Sequence, residues 1–485
     1  MSYRITALPQ QVNITAEAGE NLLSCLRRAG LAPDAPCGGE GRCGKCRVMI
    51  DGAEALSCRT IIHRDMTVTL PTSLPQQILS GGSLRAASGA VQSGWQLAFD
   101  IGTTTVVGYL LQGGRELACE SRSNPQAAFG ADVVTRIGHA LNGHMDALTG
   151  CIRQCLEDIT RALCAAAGIG PAQIGIVSLV GNPAMQQLFL GICPENLAKI
   201  PFAPVLTEAK AVDATAHLPC CENAKLLIVP DISGFVGADT VACVLASGMQ
   251  DQEEITLLVD IGTNGEMVLG NKHRLVSCST AAGPALEGAN IGFGMRAQAG
   301  AIDHVWLENG QICCSVIGGG EARGICGSGL IDAVAAALDA GWLNSRGRIQ
   351  NENRQIDLTD HVFLSQDDIR QLQLAKGAIR AGIELLAQQM GIEIPQIQRV
   401  YLAGAFGTYM DAKSACRIGL LPPVLREKIT AVGNAAGSGA KILAAEDDAL
   451  ACTQQLVDKI EAVDLAQLPQ FPKTFAKQMG FDVEK

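Results

Sequence analysis

The sequence predicts a chain in two parts, a small α+β domain of the β-grasp type followed by a duplicated, two-lobed α/β domain. Three observations carry this. Four cysteines crowd into residues 37–58; strand-like and helix-like segments surround them in β-grasp order; and one strand–turn–strand pattern occurs at 95–111 and again at 255–271.

The first part opens with residues 3–7 (YRITA) and 11–15 (QVNIT), which alternate as a two-stranded hairpin does. Residues 20–30 (ENLLSCLRRAG) put Leu22, Cys25, Leu26 and Ala29 on one helical face, and Gly30 stops the helix. The cysteine loop follows, then short strands at CRVMI and MTVTL. In that loop Cys37, Cys43, Cys46 and Cys58 are spaced C-x5-C-x2-C-x11-C, with glycines between the first three. Thiolates at this spacing suit a [2Fe–2S] cluster, and the glycines let the backbone wrap closely around the sulfurs. The first part therefore reads as a ferredoxin-like β-grasp domain over residues 1–71. Cys25 is an alternative fourth ligand, but its apolar helix face favours Cys58.

Residues 72–94 mix Ser, Gly, Ala and Pro without periodicity and read as a linker. From residue 95 strands alternate with helices. The segments WQLAFDIGTTTVVGYLL and ITLLVDIGTNGEMVLGN align without gaps, each an apolar strand, Asp-Ile-Gly-Thr, a polar turn and a second apolar strand. Two copies imply two similarly folded lobes, at about 95–253 and 254–432, with a closing helical region at 433–485. In each copy the turn offers N–H groups and side chains to phosphate oxygens: Gly102, Thr103, Thr104 and Thr105 in the first, Gly262, Thr263 and Asn264 in the second. Asp100 and Asp260 would face each other across a cleft and hold a hydrated Mg²⁺.

Further segments support a nucleotide site. In VYLAGAFGTYM (400–410) a strand runs into a turn where Gly404, Ala405 and Gly407 would let adenosine lie against the backbone. Gly283, in GPALEGANIGFGM, and the turn GICGSGLID are glycine-rich candidates for nucleotide contact, with tight packing as the alternative. Glu287 is more readily a solvated or structural carboxylate than a water-orienting one. Two small-residue helices, within 234–248 and 433–446, would cross between the lobes as a hinge. Asn182 reads as a helix N-cap.

Composition excludes other classes. Net charge of −11 and 4% aromatic residues argue against nucleic acid, and no apolar run is long enough to span a bilayer. The N-terminal residues lack the basic and apolar regions of an export signal, so a cytosolic location is expected. Outside the loop, Cys residues scatter among Ala, Leu and Val as small buried hydrophobes, consistent with the reducing cytosol of an anaerobe.

The paired DIGT turns and YLAGAFG resemble the ASKHA superfamily of acetate and sugar kinases, heat-shock chaperones and actin. Preceded by CGGEGRCGKCRV, and joined by GNPAM, AAGPALEGANIGFGMRA, ICGSGLID and GNAAGSGA, they resemble one branch along nearly the whole chain, the reductive activators of corrinoid proteins. Larger members carry an extra small domain where this chain has only the 72–94 stretch. The resemblance implies ATP-dependent reduction of Co(II) to Co(I) on the corrinoid protein of a methyltransferase system. It further implies a low-potential ferredoxin or flavoprotein as donor and a homodimer. Two other readings stay open. One is an activator of radical dehydratases, which bridges a [4Fe–4S] cluster between subunits. The other is a small-molecule kinase or ATP-gated binding module with a structural cluster.

Overall fold

The computed structural model describes residues 2–481 except 10, 30, 32, 34–38, 40, 42–45, 71–83 and 85–90. Cys37, Cys43 and most of the expected linker lie outside the described residues, as does the side chain of Ala405.

The N-terminal domain is one five-stranded sheet carrying a helix. Strands β1 (Ser2–Leu8) and β2 (Val12–Glu17) form the expected hairpin, and α1 (Leu22–Arg28) follows. Asn21 starts that helix by accepting from the Leu23 and Ser24 amides. Strands β3 (Arg47–Ile50), β4 (Ala53–Leu56) and β5 (Met66–Thr69) complete the order β2-β1-β5-β3-β4, with β5 parallel to β1. Leu22, Cys25 and Leu26 of α1 close a core with Ile5, Ile14, Val48 and Val68.

The rest of the chain contains two six-stranded sheets. The first holds β6 (Trp95–Ile101), β7 (Thr105–Gln112), β8 (Arg115–Ser123), β9 (Ile174–Gly181), β10 (Lys210–Asp213) and β11 (Lys225–Ile228). Helices α2 (Val133–His139), α3 (Met145–Ala167), α4 (Pro183–Leu190) and α5 (Ala238–Ser247) belong to this half. The second sheet begins with β12 (Thr256–Ile261), β13 (Gly265–Gly270) and β14 (Leu275–Thr280). A small sheet of β15 (Ala301–Glu308), β16 (Gln311–Val316) and β17 (Gly324–Ile325) follows, with α6 (Gly327–Asp339). The short hairpin β18 (Gln355–Asp357) and β19 (Phe363–Ser365) leads into α7 (Gln366–Met390). Next come β20 (Arg399–Ala403), α8 (Gly404–Tyr409), α9 (Ala412–Arg417), β21 (Ile429–Gly433) and α10 (Ala435–Ala445). Helix α11 (Ala449–Lys459), β22 (Ile460–Ala462) and α12 (Phe471–Gln478) end the described chain.

The two sheets repeat one topology. In the first, β11-β9-β6 run parallel and β6-β7-β8 antiparallel; in the second, β21-β20-β12 run parallel and β12-β13-β14 antiparallel. Each gains one extra edge strand, β10 or β22. The central strands are buried on both faces, which is why they read as unbroken apolar runs. Leu97, Phe99 and Ile101 of β6 feed the first lobe's outer core, and Leu257, Val259 and Ile261 of β12 feed the second's. Ala98 and Leu258 point the opposite way, into a third core between the sheets.

That third core contains α5 and α10. They pack so closely that a Cβ on Gly439 would strike the Ala242 carbonyl oxygen. The Ser178 hydroxyl of β9 donates to the Ala440 carbonyl at 2.6 Å, and Lys441 reaches Glu116 of β8 at 2.7 Å. Thus α10, late in sequence, sits against the first sheet. At its C-terminal end, the Gln92 amide donates to the Ala445 carbonyl at 2.8 Å, and Val91 bridges Glu446. The segment entering β6 is therefore fastened to the end of α10.

The structure corrects the gap-free alignment of the duplicated hairpins. In the first, Ile101 pairs with Val106; in the second, Ile261 pairs with Gly265. The first turn is one residue longer, so Val106 corresponds to Gly265 rather than to Glu266.

Candidate functional site: a cleft between two phosphate-type turns

The first turn is held from behind. The side-chain amide of Asn124, itself buried, donates to the Gly102 carbonyl at 2.8 Å, and the Asn124 backbone N–H donates to the Thr104 carbonyl at 2.9 Å. The Thr103 carbonyl accepts from the Arg136 guanidinium at 2.5 Å. Arg136 has no exposed surface and also donates to the Gly130 carbonyl. Burial lowers its pKa to about 10, with the charges of Cys151, Asp132 and Glu287 opposing the fall. Asn182 caps α4 through the Met185 amide, as expected, and also donates to the Thr103 hydroxyl at 3.2 Å. The Gly102 amide closes the turn on the Thr105 carbonyl, as the Gly262 amide closes the second turn on the Asn264 carbonyl, both at 2.9 Å.

The two turns meet. The Thr104 hydroxyl donates to Glu287 Oε2 at 2.7 Å and the Thr263 hydroxyl to Glu287 Oε1 at 2.8 Å. Glu287, half-buried, thus ties the turns of the two lobes together, in keeping with a structural carboxylate. It is delivered by the short turn Pro284–Glu287, whose Ala285 and Leu286 are buried in the second lobe's core. Gly283, at φ 76°, and Gly288, at φ 80°, flank that turn; a Cβ on Gly283 would meet open space.

Carboxylates cluster beside the turns. Burial raises Asp100 to about 7; the Asn434 amide, donating to it at 2.8 Å, opposes the rise and the charges of Asp239 and Asp260 add to it. Burial raises Asp260 to about 6, against the Cys243 thiol donating at 3.6 Å. Asp239, in the first turn of α5, rises to about 7, chiefly by burial and partly through Asp260. Glu266 is also held well above its ordinary value by burial and by Asp239 and Asp260. Gly404, at φ 87°, starts α8 directly after β20, and a Cβ there would lie 2.6 Å from Asp260 Oδ1. Gly407 packs on Leu402. Among the described residues no three His, Cys, Asp or Glu side chains converge as a metal cage. A hydrated Mg²⁺ uses one or two carboxylates plus waters and phosphate oxygens, which this cluster fits.

At the N-terminal domain, Cys46 and Cys58 share a small cluster with Leu23 and Leu56, apart from the core that contains Cys25. The Ser57 amide and hydroxyl both donate to the Cys46 carbonyl, at 2.9 and 3.0 Å, and Asn21 donates to the Cys58 carbonyl at 2.9 Å. Gly41, at φ 76°, lies where a Cβ would be 2.6 Å from Arg59 Nε, and Arg59 donates to its carbonyl. Loop and Cys58 turn are thus tied together, an arrangement that fits a cluster held between them.

Sequence reasoning missed Arg136, Asn124, Asn434 and Asp239. Asn434 and Asp239 fall inside the two small-residue segments singled out as hinge helices, where the polar residue amid Gly and Ala was the available signal. Arg136 and Asn124 carry no local signal. A separate cleft on the second lobe, lined by His304, Trp306 and Asp332, includes none of these residues.

Two lobes of one topology, meeting through paired Asp-Ile-Gly-Thr turns, define an ASKHA-type protein, here preceded by a ferredoxin-type domain. Family models agree: residues 5–66 match the 2Fe-2S iron-sulfur cluster binding domain, 95–252 the RACo middle region, and 254–485 the C-terminal domain of RACo, the ASKHA domain. The chain is 36% identical over 420 residues to the corrinoid activation enzyme RamQ of Eubacterium limosum, covering 79% of this chain and 70% of that one. It is 29% identical over 372 residues to the [Co(II) methylated amine-specific corrinoid protein] reductase of Methanosarcina barkeri, covering 68% of each. A solved reductive activator for corrinoid, iron-sulfur protein superposes with a TM-score of 0.73 at 27% identity, over 99% of this chain and 98% of that one. The chain belongs to the RACo family. Among the described residues no helix is long and apolar enough to cross a membrane.

Proposed function

We propose that this protein is an ATP-dependent reductive activator that returns a corrinoid protein's cobalt from Co(II) to Co(I). One observation carries the reading: in a single chain, a cysteine-bearing ferredoxin domain precedes two phosphate-type turns joined through Glu287 beside a cluster of carboxylates. Asp100 and Asp260 organise Mg²⁺ through its waters, and the turns 102–105 and 262–264 take the phosphates. Carbonyls bound from behind by Asn124 and Arg136 leave the first turn's other side for an anion. Gly283, whose missing Cβ leaves open space, and the turn of Gly404, Ala405 and Gly407 receive the nucleoside, with Gly404 and Gly407 letting that turn pack on Asp260 and Leu402. Cys37, Cys43, Cys46 and Cys58 hold the [2Fe–2S] cluster, which when bound relays single electrons.

A low-potential ferredoxin or flavoprotein supplies each electron, and the corrinoid protein accepts it. That partner serves a methyltransferase in the cytosol of an anaerobe, and the activator works as a homodimer. Nucleotide changes the reduction only through a difference in binding energy between two protein states. A tenfold shift, about 1.4 kcal/mol, moves a one-electron potential by about 59 mV. Lobe closure worth several kcal/mol therefore moves cobalt by on the order of 200 mV. The test mixes reduced protein anaerobically with a Co(II) corrinoid protein, with and without MgATP, and follows Co(I) absorbance. Faster and fuller reduction with MgATP is expected; equal reduction without it would sink the coupling.

A further inference from the structure

A hydroxyl has one proton to give. Thr104 and Thr263, one from each phosphate-type turn, both give theirs to the same carboxylate, Glu287. A phosphate seated between the turns needs those same protons, and its charge repels a carboxylate beside it. Glu287 also lies close enough for its charge to act on Arg136, the buried cation bound to the back of the first turn. The Arg136 guanidinium thus stands behind whichever anion occupies the space between the turns. Backbone anchoring fixes Glu287 to the second lobe: Ala285 and Leu286 are buried, and a Cβ on Gly288 would meet the Met295 carbonyl at 2.5 Å. Its reach to Thr104 therefore crosses from lobe to lobe.

We infer that Glu287 is a built-in occupant of the phosphate position, a gate that nucleotide phosphate must displace before the turns close on it. The inference rests on reading the two turns as the phosphate site. Glu287 acts as a positioning residue: it holds the threonine protons in place and sets how tightly nucleotide binds, without attacking the nucleotide itself.

Calorimetric titration of the full-length, cluster-loaded protein with MgATP tests this. Glu287→Gln and Glu287→Ala are expected to bind MgATP about tenfold more tightly than the wild type, since a competing charged acceptor is gone. Glu287→Asp keeps the charge but is one methylene too short to span both hydroxyls. It should tighten binding less, and it decides the matter if the other variants misfold. Unchanged or weaker binding in folded variants overturns the gate. So does unchanged binding with lost ATP hydrolysis, which would assign Glu287 to water activation. A wild type that binds no MgATP at all would instead overturn the nucleotide reading beneath it.

Discussion

The aspartates beside the turns make the site pH-dependent. An unfolded aspartate titrates near 3.9, whereas Asp100 and Asp239 are held at about 7 and Asp260 at about 6. Between those limits the folded chain binds more protons than the unfolded one, so these groups' contribution to stability falls as pH rises from about 4 to about 7. A cation in the cleft favours the charged forms, so MgATP binding should release protons near pH 6.5 and weaken as pH falls from 7 to 6. The dependence of the calorimetric enthalpy on buffer ionisation heat measures the release. Gly404→Ala should cost about 1–2 kcal/mol of stability, read by denaturant melts, and loosen MgATP, because the new Cβ meets Asp260 from a left-handed backbone. Cys58→Ser should lose the iron and its visible absorbance, whereas Cys25→Ser should keep the iron and lower the melting temperature of the first domain. Asp100 and Asp260 were legible because the repeat displays them twice. Arg136 and Asn124 were not, and Asn434 showed only as a polar residue in a small-residue segment: it reaches Asp100 across 334 positions, and no local pattern announces that contact.

At the level of elements, the crossing of α5 and α10 is the part most sensitive to volume. Gly439→Val would drive a side chain into the Ala242 carbonyl. Overpacking of this kind costs about 1–3 kcal/mol, and here it also prises apart the two helices between the sheets. Limited proteolysis should show cutting that MgATP no longer suppresses. The two helices were readable from their Gly and Ala content, because close approach leaves that compositional trace. The register of the hairpins was not. Strands β6, β7, β12 and β13 are largely buried on both faces, so no alternation marks which residue faces which way, and a one-residue difference in turn length leaves no mark.

For the whole molecule, the first domain closes its own core, separate from the three that serve the lobes. Calorimetry should therefore resolve two transitions, with MgATP raising only the larger. At a hundred times Kd the gain is about 2.7 kcal/mol. A single transition shifted as a unit would mean the domains unfold together. That a 2Fe-2S domain precedes the two lobes was legible from motifs, since cysteine spacing and a repeated strand pattern are long-range signals. The return of α10 to the first sheet was not, because nothing in a Gly/Ala helix says which neighbour it will choose.

Fastening Val91 and Gln92 to the far end of α10 gives the chain a mechanical linkage. The chain entering β6 is moored to the end of the helix that lies between the two sheets. A rotation of that helix hauls the mooring with it. Any shift of that helix is therefore passed directly to the strand that begins the first sheet.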